Sequence, residues 1–480
     1  MNRFFRTLAM AMLAVVAAFG VVPAASAQSG YVKTFSLPTK PATQGAYQGV
    51  DPTGAQISMW YQFTGGTEKA FQALVSTFNQ SNPWKITLTA TAKGSYNTVY
   101  QAILAAIQTK TLPDLSVAYQ NQASDYESAK VILDLGPLVD DPVYGLGDAG
   151  KADFIPGVLN ADLNPQYNGA RLGFPLYRSM EVVFYNVDAL KKLGVTTPPK
   201  TWDDFKTVAC QYYKATGNVA YEVRTDASWI AGAAYAQGGD VYDAKSGKFT
   251  YDTAAAQVGP QAMQDLLNQG CVGLIANPNG FSDENDFGAG KTLFYGGSTS
   301  GLFFVQQAIT SAKQNFTFSV APLPYTGDHP IMNLYGASWS EYASGDQAKD
   351  LATWLFIRWF AEAEQQAPWA QTSGYFPVRK SAQALMSDFL AKNPAYKAGL
   401  DLLVDTRAEP PFGGYQAVRD AASAALNDVL DGANVKQRFS QLNDKSNQLL
   451  ASYKPNLTPA TPKPPAPATA APTAAATKSS

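Results

Sequence analysis

The sequence predicts an α/β fold in which mostly parallel strands alternate with helices. Strand patterns and amphipathic helix patterns follow one another from about residue 55, and strand–helix–strand order at this spacing implies parallel pairing with right-handed crossovers. The composition is that of a globular protein, with 480 residues of which 46% are hydrophobic and 15% charged. A chain of this length can form more than one hydrophobic core.

The first elements can be assigned in order from their periodicity. A helix over 67–80 is predicted because Phe71, Leu74, Val75 and Phe78 recur at helical spacing. The five predicted elements, in order, are the strand AQISMWYQF, the helix TEKAFQALVSTFNQ, the strand ITLTATA, the helix NTVYQAILAAIQT and the strand DLSVAY.

The strand ends point to binding rather than catalysis. Ligands of open α/β sheets bind outside the carboxyl ends of the strands. Those ends are Trp60-Tyr61-Gln62, Lys93-Gly94-Ser95-Tyr96 and Tyr119-Gln120-Asn121. They are rich in aromatic and amide groups, which suit a binding cleft.

The later part of the chain predicts a second core and a helical end. Residues 180–322 contain their own helix and strand patterns, among them WDDFKTVACQYYKATG and FTFSVAP. A long amphipathic helix follows, in which Trp354, Leu355, Trp359 and Phe360 form an apolar stripe. The segments YQAVRDAASAALNDVLDG and KQRFSQLNDKSNQLLASY predict two more helices.

Both ends of the chain differ in composition from the middle. Residues 1–27 have the basic start, apolar core and Ala25-Ser26-Ala27 site of a cleaved signal peptide, with an uncleaved membrane anchor as the alternative. We therefore expect a periplasmic or other extracytoplasmic location. Residues 28–55 predict a loose lead-in, and the Pro/Ala/Thr-rich residues 455–480 predict a disordered tail.

Charge and rare residues exclude several classes of function. The net charge of −2 argues against a nucleic-acid or anionic-membrane binder. The single histidine, His329, argues against His-rich metal sites and His-based triads. Cys210 and Cys271 are expected in an oxidising compartment, where they are free to pair or to remain unpaired.

No catalytic motif supports an enzyme. The sequence has no GxSxG, HExxH, Walker loop or CxxC pair, and FGAGK lacks the full phosphate-loop spacing. Glu181 has the chemistry of a glycosidase acid, but no second carboxylate stands out as its partner. We expect a protein that is not an enzyme and needs no cofactor or metal; a secreted hydrolase is the remote alternative.

Several segments, in this order, resemble one known family. They are GFPLYRSMEVVFYNVDALKKLGVTTPPKTWDDF, FGAGKTLFYGGSTSGL, YGASW, QTSGYFPVRKSA and GGYQAVRDAASAALNDVLDG. Together they resemble the large periplasmic solute-binding proteins of ABC importers (extracellular solute-binding family 1) over roughly residues 56–454. Within that group the chain is most similar to glycerol-3-phosphate-binding proteins.

The resemblance implies a set of ligand-binding residues. An arginine fork with serine and tyrosine hydroxyls and a glycine N–H suits a phosphate ester. The implied residues are Tyr96, Gln120, Ser179, Trp229, Ser298, Gly336, Tyr375 and Arg419. Trp60 is a further candidate, as a surface on which a sugar ring could stack.

Three positions depart from the pattern of these relatives. Gln120 stands where they have a carboxylate that contacts ligand hydroxyls. Arg178 stands where they tend to have a small residue, and Glu181 where they tend to have proline. Arg178 and Glu181 are therefore additional candidates for a reshaped pocket.

The resemblance also implies an architecture and a function. The expected fold is the two-lobed periplasmic-binding-protein fold of class II type, with three interlobe crossings near 175–184, SVAPLPY and GYFPV. Lobe 1 would comprise 56–175 plus 325–376, and lobe 2 would comprise 176–324 plus 377–454. The expected function is capture of glycerol-3-phosphate or a glycerophosphodiester by a monomer that delivers it to a membrane permease; the alternative ligand is a maltodextrin-type oligosaccharide.

Overall fold

The computed structural model describes residues 30–277 and 280–453. The strands are β1 (Gln56–Tyr61), β2 (Thr87–Ala92), β3 (Leu115–Ala118), β4 (Leu163–Asn164), β5 (Ala170–Arg171), β6 (Ser179–Asn186), β7 (Glu222–Val223), β8 (Tyr242–Asp243), β9 (Lys248–Phe249), β10 (Gly273–Leu274), β11 (Phe294–Ser298), β12 (Phe318–Ala321), β13 (Met332–Tyr335), β14 (Ser338–Glu341) and β15 (Thr406–Ala408).

The helices carry the same chain-order numbering. They are α1 (Gly65–Ser81), α2 (Tyr96–Thr109), α3 (Gln120–Ser128), α4 (Gly136–Val139), α5 (Gly147–Ala152), α6 (Val187–Lys192), α7 (Trp202–Thr216), α8 (Ala227–Ala236), α9 (Ala254–Asn268), α10 (Ser282–Gly288), α11 (Leu302–Ser311), α12 (Gln347–Phe360), α13 (Ala363–Ser373), α14 (Lys380–Ala384), α15 (Ser387–Lys392), α16 (Pro394–Asp401), α17 (Tyr415–Leu430) and α18 (Val435–Ser452).

Lobe 1 is built on a four-stranded sheet with the order β14-β3-β1-β2. β1 pairs in parallel with β2 and β3, while β14 closes the sheet antiparallel to β3. The predicted apolar face of α1 is buried through Phe71, Leu74, Val75 and Phe78. The stripe of α12 is buried as well, with Trp354 and Phe360 fully enclosed. The alternating pattern read from the sequence therefore forms this sheet and its covering helices.

Lobe 2 is built around the long strand β6. β11, β12 and β13 all pair antiparallel with β6, and β15 adds in parallel to β13. Helices α8, α9, α17 and α18 pack against one another in this lobe. Cys210 on α7 and Cys271 after α9 are joined by a disulfide that links positions 61 residues apart.

The chain passes between the lobes at positions that differ in part from those expected. The first passage is assigned to Tyr177–Ser179, where the chain enters β6. The second is not at SVAPLPY, because β12 and β13 both pair with β6 and stay in lobe 2. It lies at Gly336–Ala337, so the second part of lobe 1 begins near 338 rather than 325.

The third passage also lies later in the chain than GYFPV. Phe376 pairs with Arg178 of the first passage, but Val378 and Arg379 then bond to Ile155 and Phe154 of lobe 1. The α14 helix packs on α13, and the chain enters lobe 2 through α15 and α16. Residues 378–384 therefore belong to lobe 1.

The lead-in packs against lobe 1 rather than lying loose. Residues 30–54 contain no helix or strand, yet Tyr31, Leu37 and Tyr47 are buried. The Gln365 side chain bonds both backbone groups of Val32. The apolar side chains of this irregular segment do not recur at helix or strand spacing. The sequence pattern therefore could not predict that they pack against lobe 1.

One loop of lobe 2 reaches across to lobe 1. This interlobe loop, residues 409–414, joins β15 to α17. The Pro411 carbonyl accepts hydrogen bonds from Ser124 Oγ at 2.7 Å and Asn164 Nδ2 at 2.8 Å. The Gly413 and Gly414 N–H groups donate to Gln166 Oε1 at 3.0 Å and Asp125 Oδ1 at 2.9 Å. The lobes are thus in direct contact away from their crossing segments.

The predicted signal peptide, residues 1–27, and the predicted tail, residues 455–480, lie outside the described residues. Within 30–277 and 280–453, no helix has both the length and the apolar character required to span a membrane.

Candidate ligand-binding cleft

A cavity of about 600 Å³ lies between the two lobes. Lobe 1 contributes the beginnings of α2 and α3, which follow the carboxyl ends of β2 and β3. Lobe 2 contributes the start of α8, the end of β13 and the interlobe loop with α17. The lining residues used below are Tyr96, Tyr119, Gln120, Asp226, Ser228, Tyr335, Glu409, Tyr415 and Arg419.

The lobe 1 wall is a group of hydrogen-bonded tyrosines and amides. Ser95 caps α2 by accepting from the Thr98 N–H at 3.1 Å, which fixes Tyr96 at the first turn. The Tyr96 hydroxyl accepts from Gln62 Nε2 at 2.9 Å and shares a 3.2 Å hydrogen bond with the Tyr375 hydroxyl. The Tyr119 ring lies 4.9 Å from that of Tyr96, centroid to centroid. This wall offers aromatic surface and neutral polar groups.

The lobe 2 wall carries a compact charge cluster. The Arg419 guanidinium pairs with Glu409, and its Nη2 lies 3.6 Å from Asp226 Oδ1. Glu409 also accepts from Ser228 Oγ at 2.6 Å and from the Tyr415 hydroxyl at 3.0 Å. Burial would raise the pKa of Glu409, but the charge of Arg419 together with hydrogen bonds from Arg419, Ser228 and Asn333 outweighs burial, so the pKa is lowered. The cluster therefore holds one positive and two negative charges.

A smaller cavity of about 210 Å³ adjoins the first and shares Asp226 and Tyr335 with it. Its lining is aromatic, through Trp229, Tyr221, Tyr295 and Phe281, with Glu181, Arg224 and Ser298 as its other polar side chains. A Cβ at Gly296 would lie 2.2 Å from the Tyr221 hydroxyl. Glycine at this position on β11 is therefore what lets the Tyr221 hydroxyl approach the strand.

Glu181 has an unusual environment in this smaller cavity. Its side chain is buried and accepts a hydrogen bond from the Tyr335 hydroxyl. Burial, assisted by the charges of Asp226 and Glu409 and opposed by the Tyr335 hydrogen bond and Arg224, raises the pKa of Glu181 to about 8. Glu181 is consequently mostly protonated at neutral pH. The nearby cation, Arg224, has Asp283 as its ion-pair partner, with Nη2 and Oδ1 2.8 Å apart.

The structure brings together most of the residues named from the sequence. Tyr96, Gln120 and Arg419 line the larger cavity, and Trp229, Ser298 and Glu181 line the smaller one. Tyr375 touches this group through its hydrogen bond to Tyr96. Ser179 is opposite Tyr335 in the β6–β13 register, but it is buried and is not among the lining residues of either cavity.

Three of the named residues lie elsewhere. Gly336 is in the second interlobe passage, with a φ of +121°. Arg178 is fully buried between the passages, where Asp162 is its counter-ion at 3.2 Å. Trp60 is outside the linings of both cavities, and the Lys93 ammonium lies 4.0 Å from its ring centroid.

Sequence reasoning missed Asp226, Tyr335 and Glu409. Asp226 had a usable signal, because it is the N-cap of α8 and its side chain accepts from the Ser228 N–H at 2.8 Å. Glu409 follows a short strand and precedes two prolines, and Tyr335 ends another short strand, so neither had a local pattern. No group of His, Cys, Asp and Glu in the described part of the chain has the geometry to hold a metal ion.

Comparison with known proteins gives a consistent result. A family model described as bacterial extracellular solute-binding protein matches residues 73–398. The sn-glycerol-3-phosphate-binding periplasmic protein UgpB of Salmonella typhimurium is 24% identical over 437 residues, which span 83% of this chain and 93% of that protein. UgpB of Escherichia coli K12 is 24% identical over 432 residues with the same coverage.

Solved structures share the fold. UgpB from Mycobacterium tuberculosis in complex with glycerophosphocholine superimposes with a TM-score of 0.70 at 23% identity, covering 83% of this chain and 98% of that one. The cyclic alpha-maltosyl-1,6-maltose binding protein from Arthrobacter globiformis gives a TM-score of 0.69 at 22% identity, covering 82% and 99%. These likenesses confirm the two-lobed α/β fold predicted from the sequence.

Proposed function

This chain belongs to the bacterial extracellular solute-binding protein family, and from that premise we propose that it is the extracytoplasmic substrate-binding component of an ABC importer. We propose further that its ligand is a glycerophosphodiester with a cationic head group. The lobes would close on this ligand and deliver it to a membrane permease, with no bond made or broken.

The observation that carries the ligand proposal is the charge cluster of Arg419, Glu409 and Asp226. With one cation and two carboxylates it has a net charge of −1. A phosphate monoester would add close to two negative charges, and two unit charges 4 Å apart interact by about 4 kcal/mol at an effective dielectric constant of 20. A phosphodiester adds one negative charge, and a cationic head group on the same molecule compensates it.

The two adjoining cavities fit the two ends of such a molecule. Arg419 in the larger cavity offers a forked donor to the phosphate oxygens, while Gln120 and the tyrosine hydroxyls are available to the glycerol end. The aromatic rings around the smaller cavity and the Asp226 carboxylate that it shares with the larger one suit an alkylammonium group, which is attracted to ring faces and to negative charge. The similarity to the sn-glycerol-3-phosphate-binding protein UgpB of Salmonella typhimurium, and to UgpB of Mycobacterium tuberculosis in complex with glycerophosphocholine, supports this class of ligand.

The charge cluster also favours a second candidate ligand, a maltodextrin-type oligosaccharide. Arg419 is already paired in the cleft, and carboxylates that accept hydrogen bonds beside tyrosine rings are well suited to neutral sugar hydroxyls. A maltose-type binding protein is also among the proteins of similar fold.

Thermal-shift measurements separate the candidates. Glycerophosphocholine, sn-glycerol-3-phosphate and maltotriose are each added in excess to the purified chain, since a ligand of the folded state raises Tm by mass action. We expect the largest rise with glycerophosphocholine and a smaller one with sn-glycerol-3-phosphate. A rise with maltotriose alone rejects the diester, and consumption of glycerophosphocholine detected by NMR would indicate a hydrolase.

A neutral double variant tests the role of Arg419 without leaving Glu409 buried and unpaired. Arg419→Met with Glu409→Gln removes both charges of the pair. We expect a loss of about 2–5 kcal/mol in binding of glycerophosphocholine, the usual cost of removing a charged partner from a buried contact. Isothermal titration calorimetry measures this loss of affinity. The matched control is Arg438→Met with Asp428→Asn, which neutralises the ion pair between α17 and α18. Unchanged affinity in the Arg419 variant would contradict phosphate recognition by this residue.

A further inference from the structure

The side chain of Gln120 is held from behind by a buried ion pair. Gln120 Nε2 lies 2.9 Å from Asp162 Oδ1. A carboxylate only accepts hydrogen bonds, so the amide must turn its NH₂ group toward Asp162. The carbonyl oxygen of Gln120 has no hydrogen-bond partner among the described residues, and Gln120 lines the larger cavity. Gln120 therefore presents an uncharged hydrogen-bond acceptor, its carbonyl oxygen, to the cleft.

Asp162 is itself fixed by two further donors. Arg178 Nη2 lies 3.2 Å and Ser338 Oγ 2.6 Å from its Oδ2 atom. The side chains of Arg178 and Asp162 are 1% and 2% exposed, so neither charge has water to compensate it. A buried pair of this kind is tolerated when further hydrogen bonds satisfy both groups. Both Asp162 oxygens and both Arg178 Nη atoms have partners here, and Arg178 Nε has none among the described residues.

Arg178 connects this pair to the passages between the lobes. Its Nη1 donates to the carbonyls of Tyr177 at 3.0 Å and Ala337 at 3.4 Å, one in the first passage and one in the second. Its backbone exchanges hydrogen bonds with Phe376 at 3.1 Å and 2.7 Å. The cation that holds Asp162 is therefore hydrogen-bonded to both the first and the second passage between the lobes.

We propose that Asp162 and Arg178 are positioning residues that set the specificity of the cleft by fixing Gln120 as a neutral acceptor for a ligand hydroxyl. The proposal rests on the binding role proposed above and explains two departures of this chain together. A carboxylate at position 120 would face Asp162 at hydrogen-bond distance, and the two would share a proton or repel each other. Gln120 removes that conflict, and Arg178 is the counter-ion of Asp162 at 3.2 Å.

The first test needs no ligand. Urea unfolding of wild type and Gln120→Glu is followed at pH 5.5 and pH 8. We expect the stability deficit of the variant to grow as the pH rises, because a proton shared by two carboxylates is lost. The double variant Gln120→Glu with Asp162→Asn exchanges the acceptor and the donor, and we expect its stability relative to wild type not to depend on pH. An equal deficit of the single variant at both pH values would overturn the contact itself.

The second test measures affinity for glycerophosphocholine by calorimetry. We expect Gln120→Glu to bind at least tenfold more weakly than wild type at pH 8, to recover at pH 5.5, and to be rescued at pH 8 by Asp162→Asn. A purely structural role would leave no such rescue. Equal affinity of the single variant at both pH values, or failure of the double variant to rescue, refutes the positioning role. If wild type does not bind the probe at all, the proposed ligand is wrong, and the unfolding experiment alone decides whether the pair holds Gln120.

Discussion

Arg178 and Glu181 lie three positions apart, but their side chains are satisfied in different lobes. Arg178 points into the junction and pairs with Asp162 of lobe 1. Glu181 points into the smaller cavity and accepts from Tyr335 of lobe 2. The period-two alternation of an extended strand separates them, so neither neutralises the other. The positive charge of Arg178 is stabilised by protein groups, and the negative charge of Glu181 is removed by protonation.

The protonation of Glu181 has a measurable effect on stability. Its pKa is about 8 in the folded chain, against an ordinary value of 4.5. The folded state holds one more proton than the unfolded state between these values, so this group's contribution to the free energy of unfolding falls as the pH rises from about 4.5 to about 8 and is level above that.

We expect Glu181→Gln to remove this dependence. The free energy of unfolding of the variant should rise relative to that of wild type by about 3 kcal/mol from pH 5 to pH 8, since one unit of pKa corresponds to about 1.4 kcal/mol. Urea unfolding at several pH values measures the difference. Glu364→Gln, at an exposed position on α13, is the control and should run parallel to wild type. A Glu181→Gln curve parallel to wild type would show that Glu181 is ionised.

At the level of the elements, the short passage between β13 and β14 depends on a single glycine. Gly336 has a φ of +121°, which side-chain-bearing residues rarely adopt. A Cβ there would also lie 3.1 Å from the Tyr177 carbonyl oxygen and 3.3 Å from Arg178 Cα. The passage can be this short, and this close to the first one, only because position 336 has no side chain.

We expect Gly336→Ala to destabilise the chain by about 1–3 kcal/mol, the usual cost of a strained backbone conformation. Gly345 provides the control, because its φ is +78° but a Cβ would meet nothing within 4 Å. Gly345→Ala should therefore lose only the stability that the positive φ costs, without any loss from steric contact of the new Cβ. Chemical unfolding measures both, and equal losses for the two variants would mean that the contact with the first passage is unimportant.

At the level of the whole molecule, the lobes are held by more than their passages. The interlobe loop gives lobe 2 a separate set of hydrogen bonds to α3 and its surroundings in lobe 1. A two-lobed binding protein exchanges open and closed forms, and contacts made in only one of them shift the population. The interlobe loop joins the two lobes in the form described here, and we expect its hydrogen bonds to break when the lobes separate.

We expect Asp125→Ala to favour the open form. It removes the acceptor of the Gly414 N–H, and a hydrogen bond to a charged group contributes about 1.5–3 kcal/mol. The unliganded variant should have a larger radius of gyration in small-angle X-ray scattering, and weaker affinity for its ligand. Tyr100→Phe is the control, because it removes the other hydrogen bond of Asp125 within lobe 1 and leaves the loop contact intact. The same scattering curve for both variants would argue against a role in closure.

Local patterns in the sequence predicted the lobe 1 sheet, its helices and many of the cleft residues. The apolar spacing of α1 and α12 and the strand-end positions of Tyr96 and Gln120 are local features, and a single sequence carries them. The pairing of Arg178 with Asp162 and of Arg419 with Glu409 depends on where distant segments meet. The same holds for the passage at Gly336, because β13 is a short strand whose partner, β6, lies about 150 residues earlier.

The interlobe loop also affects how fast a bound molecule escapes. A ligand that leaves by separation of the lobes must wait for the hydrogen bonds of Pro411, Gly413 and Gly414 to lobe 1 to break, and these bonds do not involve the ligand. The opening of the protein then contributes to the residence time in addition to the contacts with the solute. A loaded chain of this kind would keep its cargo during diffusion and release it when a docked partner pulls the lobes apart.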